Sequence, residues 1–344
     1  MAHCNASLRC ADEIELMRTL ETLPITRCDQ PCALTIGTFD GVHRGHALLV
    51  ARLRQEAAKR DLQTAVLTFQ DMPYCYFKPA ECAHLLTLPP EKIAAFAPLQ
   101  IDNLLIVPFD QAIAEQSAET FAHRVLDETL NVKLLVVGPD FALGKSRAGD
   151  ISTLKTLGEK HGFAVVVLDE KLEDDGAISS TRIRECVEDG HMKTASRLLG
   201  RSFELAGEVV SGQQIGRTIG IPTINLRVHP RKVLPSKGVY ACHAWLDNSS
   251  TRYQAALNIG NRPTVNGQNL SVEFHVMDEN IAVAPKTTRL EIVERLRSER
   301  KFPNLGELVE QMQRDFARAR QLFSVIEGNE TETPPDEKIS RFSR

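Results

Sequence analysis

The chain has 344 residues, of which 42% are hydrophobic and 25% charged, and its formal net charge is −4. This length allows about two domains with separate hydrophobic cores, and the charge gives no electrostatic case for binding nucleic acid or an anionic membrane. No apolar run reaches the ~20 residues that span a bilayer, and residues 1–32 lack the pattern of a secretion signal. We therefore expect a cytoplasmic protein that binds neither nucleic acid nor membrane.

The eight cysteines are scattered along the chain, and none of them forms a Cys-x-x-Cys pair. Structural zinc sites usually take cysteines paired at short spacing, so we do not expect one here. A chain of this size in a reducing compartment does not depend on disulfides. We therefore expect free thiols.

Short apolar runs alternate with helical patterns through the first half of the chain. The runs have the length of buried strands, and the patterns between them repeat every three or four residues. This alternation is typical of a parallel sheet with helices on both faces, in which ligands bind beyond the carboxyl ends of the strands. The predicted strands are 34–36, 64–69, 103–108, 133–138 and 164–168; the predicted helices are 11–20, 46–60, one that begins at 89, 118–130 and 152–161.

Two histidines follow the first of these strands, where the chain turns into a helix. Gly37 and Gly41 permit a tight turn, and His43 and His46 are spaced so that both imidazoles project from one face of the first helical turn. Free amide groups and imidazoles together suit a polyphosphate. Ordinary loop histidines or two ligands of a metal site are the alternatives, and the glycines and the strand-to-helix context favour the phosphate site.

Two further segments follow predicted strands. The loop at 138–150 contains Gly-Lys-Ser but differs from a P-loop. Five residues separate Gly138 from this Gly-Lys-Ser, whereas a P-loop has four at that place, and Asp150 is the better N-cap of the next helix. After the fifth strand, Ser179 or Ser180 caps another helix, and Arg184 lies one turn further along. A plain capped helix is the alternative there, and the position after a strand favours phosphate binding.

Together these segments resemble the nucleotidyltransferase family in the form of the bacterial FAD synthetases. Residues 37–46 are similar to its His-x-Gly-His signature, 138–150 to its Gly-x-Asp-Phe loop, and 178–184 to its Ile-Ser-Ser-Thr-x-x-Arg element. Ala142 and Leu143 depart from the family's Arg and Phe. The resemblance implies a Rossmann-like α/β domain. It also implies catalytic residues His43, His46 and Arg184, and ATP or phosphate contacts at Gly37, Phe39, Asp40, Gly45, Asp140, Arg147, Ser179, Ser180 and Thr181.

The pattern changes near Gly200 to short runs with a two-residue period, which predict an antiparallel barrel or sandwich. A long helix at 304–323 closes this half, with Asn304 and Glu307 as its capping pair and Met312 in its apolar, core-facing stripe. The runs are 203–209, 238–245, 253–260 and 270–276. The expected domains are 1–198 and 199–327, followed by a polar, disordered tail at 328–344.

Polar residues in two segments of this half suit phosphoryl chemistry. Thr223 and Asn225 alternate with apolar residues and face one way, and their oxygens suit Mg²⁺ that bridges nucleotide phosphates; Arg217 adds a cation. Glu273 lies between core-facing Val272 and Phe274, so it faces away from the core. A plain glycine-rich hairpin and a solvated glutamate are the alternatives.

These segments resemble the riboflavin kinases. Residues 212–226 are similar to that family's Gly-x-x-x-Gly-Arg-x-x-Gly-x-Pro-Thr-x-Asn signature, 258–264 to its Gly-x-Arg-Pro-Thr turn, and 272–275 to the strand that carries its glutamate, while 281–286 depart from its aromatic-Gly turn. The resemblance implies that Glu273 takes the proton from the ribityl hydroxyl. It also implies ATP contacts at Gly212, Gly216, Arg217, Gly220 and Pro222, flavin contacts at Asn258 and Arg262, and Mg²⁺ ligands at Thr223 and Asn225.

The two resemblances cover about residues 30–325. Together they imply a bifunctional enzyme that phosphorylates riboflavin to FMN and then adenylylates FMN to FAD, with ATP and Mg²⁺ in both steps. ATP, riboflavin, FMN and FAD are the implied partners, and a homo-oligomer is left open. An enzyme that retains one activity and a flavin-binding regulator without chemistry are the alternatives; the intact His43, His46 and Glu273 argue against the regulator.

Overall fold

The computed structural model describes residues 17–24, 27–168, 177–212, 216, 220–247, 249–264, 267–279, 281 and 283–331. These residues form two compact units, one built on a parallel sheet and the other on a closed barrel. The first unit contains the described residues up to Phe39, Leu48–Cys82 and 89–168; the second contains Asp40–Ala47, Ala83–Leu88 and those from 177 onward. None of the helices described is long and apolar enough for a bilayer span.

Six parallel strands form the sheet of the first unit. They are β1 (Arg18–Leu20), β2 (Cys32–Ile36), β3 (Gln63–Phe69), β4 (Asn103–Val107), β5 (Val132–Val137) and β6 (Ala164–Val167), in the spatial order β1-β4-β3-β2-β5-β6. Strand β2 is buried throughout, as expected for a strand covered on both faces. The predicted parallel sheet is confirmed. The strand order reverses between β2 and β5, so a ligand crevice is expected beyond their carboxyl ends.

Helices connect these strands. They are α1 (Arg44–Ala58), α2 (Pro73–Phe77), α3 (Pro89–Phe96), α4 (Gln111–Ala114), α5 (Ala118–Phe121), which continues as a π-helix over Ala122–Thr129, and α6 (Ile151–His161). Leu49, Leu53 and Ala57 of α1 are buried. Asp150 caps α6 as predicted, because its Oδ1 accepts from the Thr153 amide at 2.8 Å.

Two predictions for this half are wrong. Arg18–Leu20 forms strand β1 and not a helix, because it pairs with β4, a partner that no local pattern reveals; residues 1–16 lie outside the described part. Cys75 and Cys82 form a disulfide, since α2 and the following 3₁₀ turn bring their Cα atoms to 4.8 Å. The free thiols among the described residues are Cys28, Cys32, Cys186 and Cys242; Cys4 and Cys10 are not described.

The second unit contains two helices, a closed antiparallel barrel and a terminal helix. They are α7 (Ser180–Glu188), α8 (Met192–Leu199), β7 (Phe203–Val210), β8 (Ile224–Val228), β9 (Gly238–Leu246), β10 (Tyr253–Thr264), β11 (Gly267–Val276), β12 (Thr287–Ser298) and α9 (Leu305–Thr331), with the strands in the order β10-β11-β8-β7-β12-β9. The structure thus selects the barrel over the sandwich. Strand β12 was missed because two register shifts interrupt its two-residue period.

The cap of α9 is confirmed, but its predicted end is wrong. The Glu307 amide donates to Asn304 Oδ1 at 2.9 Å, and Asn304 Nδ2 donates to Glu307 Oε1 at 3.0 Å. The helix runs on to Thr331, into the predicted tail, because continuing a formed helix costs little even after the apolar stripe ends at Phe323. The rest of the tail, 332–344, lies outside the described residues.

Two candidate active sites

The turn between β2 and α1 has a strained backbone. Phe39 has a φ of 46°, Val42 a φ of 40° and Gly41 a φ of 84°. A left-handed valine is unfavourable by about 1–3 kcal/mol, so the surrounding structure must hold it in place. Gly37 leaves room for this turn, since a Cβ there would lie 3.0 Å from the Phe39 ring. Strain of this kind concentrates at functional sites.

His43 and His46 cap the first turn of α1 reciprocally. The His46 amide donates to His43 Nδ1 and the His43 amide donates to His46 Nδ1, each at 3.3 Å, and the rings stack 3.5 Å apart. This is a capping box in which imidazoles replace the usual side chains. Because both Nδ1 atoms accept, each neutral ring carries its proton on Nε2 and presents an N–H donor there. Gly45 leaves space, since a Cβ would lie 3.2 Å from the His43 ring.

Burial, together with the smaller effect of the positive charge of Arg201, lowers the pKa of His43 to about 4. Arg201 lies beside the turn, because its two Nη atoms donate to the carbonyls of Val42 at 3.0 Å and Gly41 at 2.7 Å. His43 is therefore neutral at neutral pH and acts as a hydrogen-bond donor instead of a cation. The sequence gives no sign of this role for Arg201, which lies near the expected domain boundary.

We expect the His43 ring to titrate near pH 4 instead of 6.5. Because the folded pKa is the lower one, the unfolded chain binds the extra proton between these values, and stability falls as the pH falls through this window. The loss between pH 7 and pH 5 is about 2 kcal/mol. NMR of the ring protons measures the titration. Urea unfolding of wild type and His43→Gln at both pH values tests the loss, which the variant should lack. A ring inflection at pH 6–7 would contradict the assignment.

The buried Asp40 side chain joins three segments of the second unit. Its carboxylate accepts from the amides of Leu86 at 2.9 Å and Thr87 at 3.0 Å, and from Arg184 Nη2 at 2.8 Å. Its backbone carbonyl accepts from Ser180 Oγ at 2.7 Å. Asp40 is only 1% exposed. These contacts make its carboxylate a positioning group for the turn that carries the histidines.

Helix α7 begins at the third predicted anion site. Ser179 is its N-cap, since its Oγ accepts from the Arg182 amide at 3.3 Å, which resolves the choice left open between two serines. Thr181 is exposed. Arg184 is buried, and its Nε donates to the His84 carbonyl at 2.8 Å, so this guanidinium lies against the Asp40 segment.

The loop at 138–150 belongs to the first unit. Its first residue, Gly138, and Gly37 follow the neighbouring strands β5 and β2, at the reversal of the strand order. Asp140 and Arg147 are exposed, and Arg147 Nη2 donates to the Asp140 carbonyl at 2.8 Å. The absence of a P-loop is confirmed for this loop, because an isolated bridge joins Leu143 to Gly149 and the next long helix begins only after Asp150.

Two buried lysines that contact the backbone near these turns were missed. Lys92 Nζ donates to the carbonyls of Thr38 at 3.0 Å and Phe69 at 2.7 Å, at the carboxyl ends of β2 and β3. Lys232 Nζ donates to the Leu86 carbonyl at 2.7 Å. Both fix backbone positions near the candidate site of their own unit. In the sequence they look like ordinary surface cations, and only the tertiary structure places them inside.

The barrel carries a row of polar side chains across three neighbouring strands. Asn225 on β8 pairs with Glu273 on β11, which pairs in turn with Asn258 on β10. The flanking Val272 and Phe274 are buried in the barrel core, so this row faces outward. The register therefore brings together three residues that the sequence places far apart.

Glu273 is half-buried and held by hydroxyl groups. Its Oε1 accepts from Ser271 Oγ at 2.7 Å, and its Oε2 lies 3.5 Å from Thr223 Oγ1. A carboxylate in this setting can accept a proton from a substrate hydroxyl.

Two cavities flank this row. The first, of about 300 Å³, is lined by Glu273, Asn258, Gly216 and the α9 residues Met312 and Phe316. Its size is that of a small-molecule site. Met312 packs on the core, as predicted, and it also lines this cavity.

The second cavity, of about 320 Å³, is lined by Gly212, Pro222 and Asn225. Part of the 281–286 segment, which differs from the family's aromatic-Gly turn, also lines it. Thr223 and His275 border both cavities. Gly220 has a φ of 74° in the loop before β8. The predicted contact Arg217 lies outside the described residues, and for Arg262 only the backbone, in β10, is described.

The first feature is a doubly wound sheet with two histidines at a helix start, and the second is a barrel with an outward glutamate beside a cavity. Together they define a two-site enzyme for phosphoryl and nucleotidyl transfer. The family model for FAD synthetase matches residues 25–182, and that for riboflavin kinase matches residues 199–323. The chain belongs to the family of bifunctional riboflavin kinase/FMN adenylyltransferases. The resemblance seen in the motifs is thereby confirmed.

Curated relatives align along most of this chain. It is 36% identical over 311 residues to the bifunctional riboflavin kinase/FMN adenylyltransferase of Haemophilus influenzae, covering 90% of this chain and 100% of that protein. Identity to the Escherichia coli (strain K12) protein of the same name is 37% over 294 residues, covering 86% and 93%. A crystal structure described as a macrolide-efflux protein from Streptococcus pneumoniae has a TM-score of 0.80 and 28% identity, covering 89% of this chain and 99% of that one.

Proposed function

We propose that the barrel phosphorylates riboflavin with ATP to give FMN, and that the α/β domain then adenylylates FMN with a second ATP to give FAD and pyrophosphate. The observation that carries this proposal is that one chain contains both a pair of hydrogen-bond donors for adenylyl transfer and a general base for the kinase step. One is the His43/His46 pair, whose Nδ1 atoms accept backbone amides and leave the Nε2–H groups as donors, and the other is Glu273, which lines the first cavity. A flavin carrier needs neither, and an enzyme with one activity needs only one.

In the kinase step, Glu273 takes the proton from the ribityl hydroxyl as that oxygen attacks the γ-phosphate. The apolar wall of the first cavity, which includes Phe302 and Phe316, suits the flavin ring. Thr223 and Asn225 supply the hydroxyl and amide oxygens that Mg²⁺ takes as ligands, and the ion would neutralise phosphate charge there. Further proposed contacts are Asn258 and Arg262 for flavin, and Gly212, Gly216, Arg217, Gly220 and Pro222 for ATP.

In the adenylyl transfer, the FMN phosphate attacks the α-phosphate of ATP. The Nε2–H groups of His43 and His46 stabilise the charge that develops there. The Asp40–Arg184 ion pair keeps the turn in place. Further proposed ATP contacts are Gly37, Phe39, Gly45, Asp140, Arg147, Ser179, Ser180 and Thr181.

The test supplies the protein with riboflavin, ATP and Mg²⁺ and follows flavins and nucleotides by chromatography. FMN should appear first and FAD second, with one ADP released per flavin phosphorylated and one pyrophosphate per FAD. FMN that accumulates without FAD would show that only the kinase is retained. Bound flavin without either product would indicate the non-catalytic regulator.

The expected domains, 1–198 and 199–327, remain a prediction, and the packing of α7 and α8 suggests a more stable fragment. Ile183 and Val187 of α7 and Leu198 of α8 share one core with Phe203 and Tyr240 of the barrel. The free energy of unfolding should therefore be higher for a fragment that starts at residue 177 than for one that starts at 198. The difference should be at least ~2 kcal/mol, which is the stabilisation from burying one apolar side chain. Urea unfolding of both fragments measures the difference. Equal stability would show that these helices are not part of the kinase domain.

A further inference from the structure

We propose that Arg201 is a positioning residue for adenylyl transfer: it fixes the peptide group before His43 and, through that group, the imidazole of His46. The proposal rests on the function proposed above for the two histidines. Arg201 lies outside residues 25–182, which match the FAD synthetase model, and inside residues 199–323, which match the riboflavin kinase model. A residue of the kinase segment would thus complete the site of the other reaction.

The guanidinium of Arg201 bonds to two successive backbone carbonyls of the strained turn. Its Nη1 donates to the Val42 carbonyl at 3.0 Å, and its Nη2 donates to the Gly41 carbonyl at 2.7 Å. Both residues have a left-handed backbone, which a valine keeps only where the surrounding structure holds it. A planar guanidinium with two donors can hold such a pair of carbonyls in one geometry. Arg201 is therefore one of the groups that keep this turn in its strained form.

The Val42 carbonyl belongs to the same peptide group as the His43 amide. Because this group is planar and trans, its C=O and N–H point in opposite directions, and fixing one of them fixes the other. Arg201 donates to the carbonyl, and the N–H donates to Nδ1 of His46 at 3.3 Å. This second bond keeps the proton of the neutral His46 ring on Nε2, which is the donor that the proposed function uses. Arg201 therefore acts on the His46 imidazole through one rigid group.

The position of Arg201 is fixed by the elements on either side of it. The residue follows Gly200, which ends α8 with a φ of 80°, and it lies just before strand β7. Leu199 at the end of α8 shares one core with Phe203 at the start of β7. A Cβ at Gly200 would lie 3.1 Å from Arg44 Cγ, so the chain passes close to the first residue of α1. The guanidinium thus extends from a short segment that is held at both ends.

The charge of Arg201 supports the same arrangement. Burial, and to a smaller extent this charge, lowers the pKa of His43 to about 4, so that the ring is neutral at neutral pH. A neutral ring can accept the His46 amide at Nδ1, whereas a protonated ring cannot. Methionine at position 201 would remove both the charge and the two bonds. Lysine would keep the charge, but its single ammonium does not reproduce a planar fork of donors.

The test measures the kinetics of both reactions for wild type, Arg201→Met and Arg201→Lys. Arg201→Met should lower kcat for FAD formation from FMN by about 10- to 100-fold, the scale of a misplacement of about 1 Å in a positioned group. The KM values for FMN and ATP should stay near those of wild type, because the donor that is displaced acts in the transition state. Arg201→Lys should fall between the two. FMN formation from riboflavin should continue at the wild-type rate in both variants.

Two further measurements separate positioning from a general loss of structure. Arg227→Met removes an exposed arginine of β8 and should leave both reactions unchanged. In Arg201→Ala, free methylguanidinium should restore part of kcat for FAD formation, because Arg201 is only half-buried and the space it leaves can be entered from solvent. Methylammonium chloride at the same ionic strength should restore less. An equal effect of the two salts would count against the proposal.

The tautomer of the His46 ring gives a readout that does not need activity. ¹⁵N NMR of the ligand-free protein reports it, with His46→Ala to identify the signals. The neutral ring should carry its proton on Nε2 in wild type and become a mixture of tautomers in Arg201→Met. An unchanged tautomer would refute the coupling even if the protein proved not to make FAD. A wild-type kcat for FAD formation, a change in KM alone or an equal fall in FMN formation would also overturn the proposal.

Discussion

Replacement of His46 by alanine should slow FAD formation from FMN by roughly 10²-fold or more, the usual cost of losing one preorganised donor to a developing charge. The proposed function makes the Nε2–H of His46 such a donor, because its Nδ1 accepts from the His43 amide. FMN formation from riboflavin should continue at the wild-type rate. Both rates are measured by chromatography of flavins from the same preparation.

Arg54→Ala is the matched control, since Arg54 is an exposed residue of the same helix. It should leave both rates unchanged. Should His46→Ala form FAD at the wild-type rate, the imidazole would have only a structural role.

Glu273→Gln should lower FMN formation from riboflavin by ~10²–10⁴-fold, the range for loss of a general base. Glutamine keeps the size of the side chain and can still bond to Ser271, which contacts Oε1 at 2.7 Å, so the fold should survive. It cannot take the proton of the ribityl hydroxyl. The initial rate with riboflavin, ATP and Mg²⁺ measures the effect.

The control for this variant is Glu208→Gln, a change at an exposed glutamate on another strand of the barrel. It should not affect either reaction. A wild-type rate of FMN formation by Glu273→Gln would mean that Glu273 is a solvated strand residue and that another group serves as base.

Much of the fold could be predicted because burial leaves a local mark on the sequence. Strands β2 to β5 are nearly continuous apolar runs, since helices cover both faces of a parallel sheet. In the barrel, Glu273 could be placed outside because buried Val272 and Phe274 flank it. The family motifs then located both candidate sites.

The remaining features depend on tertiary contacts. Strand β1 forms only because β4 offers an open edge, and Lys92 is buried only because backbone carbonyls of two strands converge on it. The resemblance implied that Asp40 contacts ATP. In the structure its carboxylate accepts hydrogen bonds from Leu86 and Arg184, which are 46 and 144 positions away in the sequence. The depressed pKa of His43 likewise follows from burial and from Arg201, neither of which a motif shows.

The central claim is that two separable active sites act in sequence on one flavin. It is tested most directly by a crossed assay in which His46→Ala and Glu273→Gln each receive either riboflavin or FMN with ATP and Mg²⁺. His46→Ala should make FMN from riboflavin but almost no FAD from FMN, whereas Glu273→Gln should make FAD from FMN but almost no FMN from riboflavin. Loss of both reactions in either folded variant would contradict two independent sites.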